Sequence, residues 1–452
     1  MFFARGKEKQ IIHKHIYSGK FEFGIVYGRR RIGKTMMLKE LLKENPGIYF
    51  VADEMGYDYN IAAFAGAVAN YFDESVTFND LNMIFDYLCK KSHEQRIIVV
   101  IDEFTYLFSR EPGIQSVLQN IIDGELSRSN VVLILSGSQV GMIEEVISYK
   151  KPLYGRTTFK LKLAPFDYYD AASFYPGFCA EDKIRAYGVF GGTPHYLSKI
   201  DDKLSLRDNI IELILSEGSV LAEETEFFLK QELRAVVSYS MILHSISSGA
   251  TRLNEISTKA QINNTGTTTK YLRVLRDMDI VEKEICFGES ENSKKTLYRI
   301  KDNFFDFYYT FIMPNRSKLA VMEPDVIFDR FIMSKLDEYT SFVFERVCRE
   351  FLIRQNISQS DEPFYAIGRY WGNDRATRSD VEIDIASKDD KGINVYECKW
   401  TNDLFGKKEA TDLVARSGSL RPYRFGGFSR NGFSSGASEM LDFCYSVEDL
   451  LR

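Results

Sequence analysis

Apolar positions in the first 165 residues gather into short runs, each closed by glycine or charge. Phe23–Tyr27, Gly47–Ala52, Ile97–Ile101 and Val131–Leu135 are apolar almost throughout, as strands are when a parallel sheet buries both their faces. Phe159–Leu163 alternates and adds a fifth strand. Between the runs the spacing turns helical. A helix runs from Arg5 to about Tyr17 with Ile11, Ile12 and Ile16 apolar, and another covers Met36–Leu42. Two more span 57–91, the first carrying Ile61, Phe64, Val68 and Phe72, the second Leu81–Cys89. Alternation of this kind predicts an α/β fold with a parallel sheet.

After residue 166 the pattern changes. Residues 167–238 are helical in spacing, over Tyr168–Tyr175, Glu181–Val189, Leu206–Leu221 and Glu226–Val237. Three shorter helices follow, Met241–Ser247, Leu253–Ala260 and Thr267–Met278, then an alternating strand at 280–287, a polar tip and a returning strand at 296–300. That order predicts a winged helix-turn-helix with Thr267–Met278 as recognition helix. Its Thr267, Thr268, Thr269, Lys270, Arg273 and Arg276 suit DNA contact. The alternative is a module that only packs between domains. Asp302–Met313 holds six aromatics at helical spacing, which points to core packing rather than base stacking. Beyond Pro314 come a helix at Glu338–Asn356, strands at Ala366–Trp371, Asp380–Ala386 and Ile393–Trp400, a helix at Asn402–Ser417, a Gly/Ser/Arg-rich stretch and a closing helix.

The sharpest chemistry sits where the first strand ends. Gly28 to Thr35 matches G-x-x-x-x-G-K-[ST] at every defined position, between a strand and a helix. Glycines let backbone N–H groups close around phosphate oxygens, and the helix N-terminus adds a favourable dipole. Gly28, Arg29, Arg30, Arg31, Ile32, Gly33 and the following Met36 are thus candidate ATP contacts. Lys34 is expected to reach the β- and γ-phosphates, and Thr35 to offer its hydroxyl to Mg2+. The third strand ends in Asp102 and Glu103. Asp102 is read as the Mg2+ carboxylate and Glu103 as the base that polarises the attacking water; alternatively Asp102 caps the helix beginning near Phe104. Ser138 ends the fourth strand, as a γ-phosphate sensor or as part of a Ser-Gly turn. Arg156 precedes the fifth strand, as a phosphate or neighbouring-subunit contact or a surface ion pair.

A second candidate site lies near the C-terminus. Asp380, Glu382 and Asp384 share one face of their strand, and Glu397 and Lys399 share one face of the next. Carboxylates on neighbouring strands can bind Mg2+ and activate water against a phosphodiester, with Lys399 steadying the charge. The spacing resembles the PD-(D/E)xK nuclease core. Glu345 on the preceding helix stands in the place of that family's helical glutamate, and Ile383 departs from its pattern by not being proline. The metal set implied is Glu345, Asp384 and Glu397. The alternative is a charged hairpin with an ordinary Glu–Lys pair.

Taken together, the Gly28–Thr35 loop, Ile101–Phe104, Leu135–Gln139 and Pro152–Arg156 resemble the AAA+/STAND-type P-loop ATPases often called archaeal-type ATPases. Gly191–Leu197 resembles their G-G-x-P-x-Y-L box, in which His195 reads as a packed histidine. The resemblance implies a parallel sheet of order 5-1-4-3-2, Arg5 and Glu8 near the adenine, a helical lid over the nucleotide, and a C-terminal restriction-endonuclease-like domain. The expected domains are a P-loop ATPase core at 1–166, the lid at 167–237, the winged helix at 238–315 and a nuclease-like α/β domain at 316–452. The expected partners are ATP, Mg2+, DNA and further copies of the chain in a nucleotide-dependent homo-oligomer.

Composition adds limits. Hydrophobics at 44% and charged residues at 27% are those of a globular protein. With a net charge of −6, nucleic-acid contact depends on local patches. Six cysteines without C-x-x-C pairing argue against a zinc site or a disulfide framework. No membrane span and no signal peptide are read, so the expected location is the cytoplasm.

Overall fold

The computed structural model describes residues 5–111, 113–359, 362–373 and 380–452. It divides into two compact units, Met1–Pro165 and Phe166–Arg452.

In the first unit, five strands form one sheet: β1 (Glu22–Tyr27), β2 (Ile48–Val51), β3 (Ile97–Asp102), β4 (Val131–Gly137) and β5 (Phe159–Lys162). Their order is β2-β3-β4-β1-β5, with every pairing parallel, which is the expected 5-1-4-3-2 order seen from the other edge. β1, β3 and β4 are buried at every position because helices cover both faces. Helices α1 (Gly6–Ile16) and α2 (Lys34–Glu44) supply Ile12, Ile16, Met37, Leu38 and Leu41 to one face, against Val26, Val100 and Ile134. The opposite face takes Ile25, Val99 and Leu133 against α3 (Tyr57–Phe72), α4 (Leu81–Lys91), α5 (Thr105–Arg110), α6 (Ile114–Asp123) and α7 (Val140–Val146). Each fully buried side chain of this kind contributes about 1.5–3 kcal/mol. Parallel pairing sends the C-terminal ends of β1, β3 and β4 to the same edge, so the chain leaving each of them meets the others there.

The second unit opens with short helices. Leu206–Leu221 is not one helix: Leu206–Ile210 runs into a π-turn at Ile211–Leu215 and stops where Ser216 becomes extended, two residues before Gly218 at φ +74°. The helices Val236–Ser247, Leu253–Lys259 and Thr265–Asp277 then precede an antiparallel hairpin of β6 (Val281–Ile285) and β7 (Thr296–Ile300). The expected cut at 237/238 falls in the first turn of the Val236–Ser247 helix. The aromatics of 302–313 are core: Phe304, Phe305, Phe307, Tyr308, Tyr309 and Phe311 are all buried.

A second sheet closes the chain, with β8 (Ala366–Asn373), β9 (Asp380–Lys388), β10 (Ile393–Lys399), β11 (Arg424–Ser429) and β12 (Phe443–Ser446) in the order β12-β11-β10-β9-β8. β8, β9 and β10 run antiparallel, while β10, β11 and β12 run parallel. The long helix Met333–Gln359 precedes β8, and the helix Lys407–Arg416 carries the chain from β10 to β11. That second helix starts five residues later than the apolar pattern predicts, because the Gly406 N–H is bound by the Glu409 carboxylate at 2.9 Å. β12 lies where a closing helix was expected. Among the described residues no helix is long and apolar enough to cross a membrane.

Candidate functional site

The Gly28–Thr35 loop leaves β1 through backbone that only some residues tolerate. Gly28 has φ +152°, and a Cβ there would come within 2.4 Å of the Leu163 carbonyl oxygen and of Ile32. Gly33 has φ +87° and Arg31 φ +69°. Arg5 braces the loop from beneath. Its guanidinium donates to the Ile32 carbonyl at 3.1 Å and the Ala164 carbonyl at 2.7 Å, and it pairs with Glu8 at 2.9 Å. Thus Arg5 meets the loop's backbone, and Glu8 reaches it only through Arg5. Ile32 is fully buried and Arg29 nearly so, and the Arg30 charge lies close enough to Tyr106 of α5 to act on its hydroxyl. Met36 is 61% exposed on the first turn of α2.

Three polar side chains converge beside the loop. Lys34 folds back, its Nζ donating to the carbonyls of Gly28 at 2.9 Å and Arg29 at 3.0 Å. The Thr35 hydroxyl donates to Asp102 Oδ2 at 2.7 Å. Tyr49 of β2 donates to the same oxygen at 2.6 Å. Burial and the Asp102 carboxylate together push the Tyr49 hydroxyl pKa well up, so it stays a donor. Asp102 does not cap α5, whose N-cap is Phe104 without a side-chain hydrogen bond. Its other oxygen accepts from the Glu103 N–H at 3.0 Å.

Glu103 sits at φ +51°, a left-handed conformation costing an L-residue about 1–2 kcal/mol. Strain held at a strand end is common at functional sites. Here Glu103 Oε2 accepts from the Ser138 hydroxyl at 2.9 Å and its N–H at 3.3 Å. Ser138 therefore meets Glu103 directly. Arg156 is engaged elsewhere: Nε and Nη2 donate to both oxygens of Asp123 at 2.7 and 2.6 Å, and Nη1 donates to the Pro152 carbonyl. That is the ion-pair alternative read from the sequence. Tyr49 is the residue the sequence hid, since nothing in an apolar run marks one tyrosine until β2 is paired with β3.

These residues fit nucleotide and Mg2+. Two hard oxygen ligands, the Thr35 hydroxyl and the Asp102 carboxylate, lie together at the start of a helix whose backbone can face phosphate.

Comparison with known proteins supports the nucleotide. Residues 2–200 match the family described as an ATPase domain predominantly from Archaea. The protein MJECL04 of Methanocaldococcus jannaschii is 32% identical over 421 residues, covering 92% of each chain. This chain belongs to the family of archaeal-type ATPases. Residues 308–413 of this ATPase match a second family, described as archaeal and bacterial proteins of unknown function. The Walker-type ATPase PABY2304 of Pyrococcus abyssi shares its fold, with a TM-score of 0.52 at 20% identity, covering 68% of this chain and 96% of that one. The Aeropyrum pernix ORC2 protein, in ADPNP and ADP complexes, has a TM-score of 0.43 at 13% identity, covering 70% of this ATPase and 93% of its own length.

In the second unit the structure brings Glu345, Asp384, Glu397 and Lys399 into one neighbourhood, but each carboxylate is already held. Glu397, 3% exposed, takes Lys399 on Oε1 at 2.6 Å and Arg416 on Oε2 at 2.6 Å. Glu345 pairs with Arg369 at 3.4 Å. Asp384 accepts from the Cys398 N–H at 2.9 Å, and burial, Glu397 and Glu345 push its carboxyl up to about 8. A register shift between Gly368 and Tyr370 sets Asp384 and Ile385 opposite Arg369 alone, a bulge that re-aims Asp384. Among the described residues no three His, Cys, Asp or Glu side chains stand in a metal-holding group. As these side chains stand, the set does not fit a metal, because a cation already sits on each Glu397 oxygen. Nothing in the sequence marks Arg416 and Arg369 as its partners.

On the Thr265–Asp277 helix, Thr268 is also corrected. It is fully buried and donates to the Ser257 hydroxyl at 3.0 Å, so it faces the core. Thr269, Lys270, Arg273 and Arg276 are exposed. His195 is exposed rather than packed.

Proposed function

We propose that this ATPase passes its nucleotide state to a second unit that engages DNA. The observation carrying the first half is the meeting of Thr35, Tyr49 and Asp102 at the Gly28–Thr35 loop, with Glu103 one residue further on. In this reading the loop's N–H groups cradle the phosphates, and Lys34 exchanges its carbonyl partners for the β- and γ-oxygens. Thr35 and Asp102 hold Mg2+, which when bound neutralises charge on the phosphates. Glu103 orients water toward the γ-phosphate, and Ser138 fixes the carboxylate that does so. Arg5 and Glu8 set the loop's shape. Arg156 acts as a finger toward a neighbouring copy only after leaving Asp123. Lys34→Ala is expected to weaken ATP binding at least about 100-fold in calorimetry, the worth of two charge-assisted hydrogen bonds. Unchanged affinity sinks the assignment.

For the DNA half, the three helices and hairpin of 236–300 support a winged-helix reading, and the exposed Lys270 and Arg273 supply phosphate contacts. The order helix, three antiparallel strands, helix and strand supports a nuclease-like architecture at 333–429. Cleavage is no part of the proposal while Glu397 is doubly paired. A labelled duplex is expected to bind differently in ATP and ADP, and less tightly after Lys270→Ala with Arg273→Ala. Equal anisotropy in all four cases removes this half.

The packing of the hairpin favours a second reading, a STAND-type switch whose nuclease-like part is a binding module. The Phe287 N–H donates to the Arg369 carbonyl at 2.8 Å, and Arg349 of the long helix pairs with Glu284 at 3.0 Å. The hairpin is thus committed to the second sheet. DNA-indifferent turnover with an ATP-driven size change in light scattering supports the switch.

A further inference from the structure

The second unit contains a cavity of about 720 Å3, a volume suited to one small organic ligand. Its walls come from the Val236–Ser247 helix, the β6–β7 hairpin, the 302–318 segment, the long helix and strands β8 and β9. Two chemistries line it. Phe311, Phe331, Tyr339 and Phe342 provide aromatic surface, the rings of Phe311 and Tyr339 being 5.4 Å apart. Arg299, Arg346, Arg349 and Arg369 bring four guanidinium groups to the same space.

The wall carboxylates do not use up these donors. Glu282 and Glu284 hold Arg349, Glu345 and Glu382 hold the two Nη atoms of Arg369, and Arg346 donates to the Ile300 carbonyl and Asn303, which leaves the Nε donors of Arg299 and Arg369. Arg299 Nε stops 3.3 Å from Glu284 without a hydrogen bond, and Nε of Arg369, a residue 7% exposed, has no hydrogen-bond partner among the described residues. Buried donors in folded proteins are nearly always satisfied. A guanidinium fork is shaped for phosphate oxygens and stacks on planar rings.

We propose that this cavity binds a nucleoside monophosphate, its base against the aromatic wall and its phosphate on Arg299 and Arg369. Glu284 and Glu345 orient the guanidiniums and limit the anionic charge the site accepts. Seven cations and six carboxyl groups line the cavity, a small cationic excess that disfavours a triphosphate. The site is separate from the Gly28–Thr35 loop and stands whether or not the second unit engages DNA.

Calorimetry on the full chain carrying Lys34→Ala, which is expected to silence the loop, tests this with AMP, GMP, CMP, UMP, ATP and inorganic phosphate as probes. At least one monophosphate is expected to bind at about one equivalent, at least about tenfold tighter than ATP or inorganic phosphate. Adding Arg299→Gln is expected to weaken it about tenfold or more. Adding Thr310→Phe narrows the cavity without touching a charge and is expected to do the same, with thermal unfolding unchanged. The proposal is overturned if no monophosphate binds, if inorganic phosphate or ATP binds as well, or if both added substitutions leave binding intact.

Discussion

Asp102 and Glu397 are buried carboxylates near the ends of β3 and β10, 1% and 3% exposed, and they are held in opposite ways. Asp102 accepts from two hydroxyls and a backbone N–H, all neutral. Glu397 is clasped by an ammonium and a guanidinium. Neutral donors aim a carboxylate and leave its charge for an incoming cation, whereas cation partners spend that charge inside the protein. A carboxylate thus keeps its charge unspent in one unit and has it neutralised in the other.

The comparison breaks most visibly at Arg416. Arg416→Ala leaves a buried carboxylate half-compensated and is expected to destabilise the second unit by about 2–4 kcal/mol in chemical denaturation. Adding Glu397→Gln is expected to restore most of that loss. If the double variant is no more stable than Arg416→Ala, the pair is not a charge network. Tyr49→Phe probes the other side. It removes a neutral donor from Asp102 while keeping the ring, so half-maximal hydrolysis is expected to need about tenfold more Mg2+, with ATP binding in chelator unchanged. An unaltered Mg2+ requirement makes the Tyr49 hydrogen bond structural only.

Glu350 gives the smallest effect and the sharpest contrast, a carboxylate with no ion-pair partner among the described residues. It accepts from the Tyr168 N–H at 3.3 Å and lies 3.4 Å from the Tyr187 hydroxyl. Burial and then Asp167 push it up to about 7, against the pull of Arg346 and Arg349. The folded chain therefore keeps this proton until about pH 7, while the unfolded chain releases it near 4.5. Stability from this group is present below that lower value and falls as pH rises through the window. Glu350→Gln does not titrate, so its melting temperature is expected to match wild type near pH 4.5 and exceed it by about 2–4 °C near pH 8. A gap that does not change with pH contradicts the assignment.

The first sheet was largely legible because central parallel strands leave unbroken apolar runs, and the loop because its chemistry dictates its spacing. Its strand order came from family resemblance, as apolar runs carry no order. Tyr49 was not legible, since its hydroxyl acquires meaning only when β2 lies beside β3. Nor was the partner of Arg156, Asp123, which lies 33 residues upstream at the end of another helix. In the second unit the alternation at 380–386 located the strand but not the bulge that turns Asp384. β12 is four residues at a sheet edge, too short to show a period. Arg369 and Arg416 became partners of the carboxylates through pairings between elements that no local pattern records.

The central claim, that the end of β3 drives hydrolysis, is met most directly by Glu103→Gln. Glutamine keeps the shape and can still meet Ser138, but it cannot polarise water as a carboxylate does. Equilibrium binding and turnover of ATP are measured on the same preparation. The account predicts ATP affinity within about threefold of wild type and turnover reduced at least about 100-fold. Turnover near the wild-type rate would contradict it.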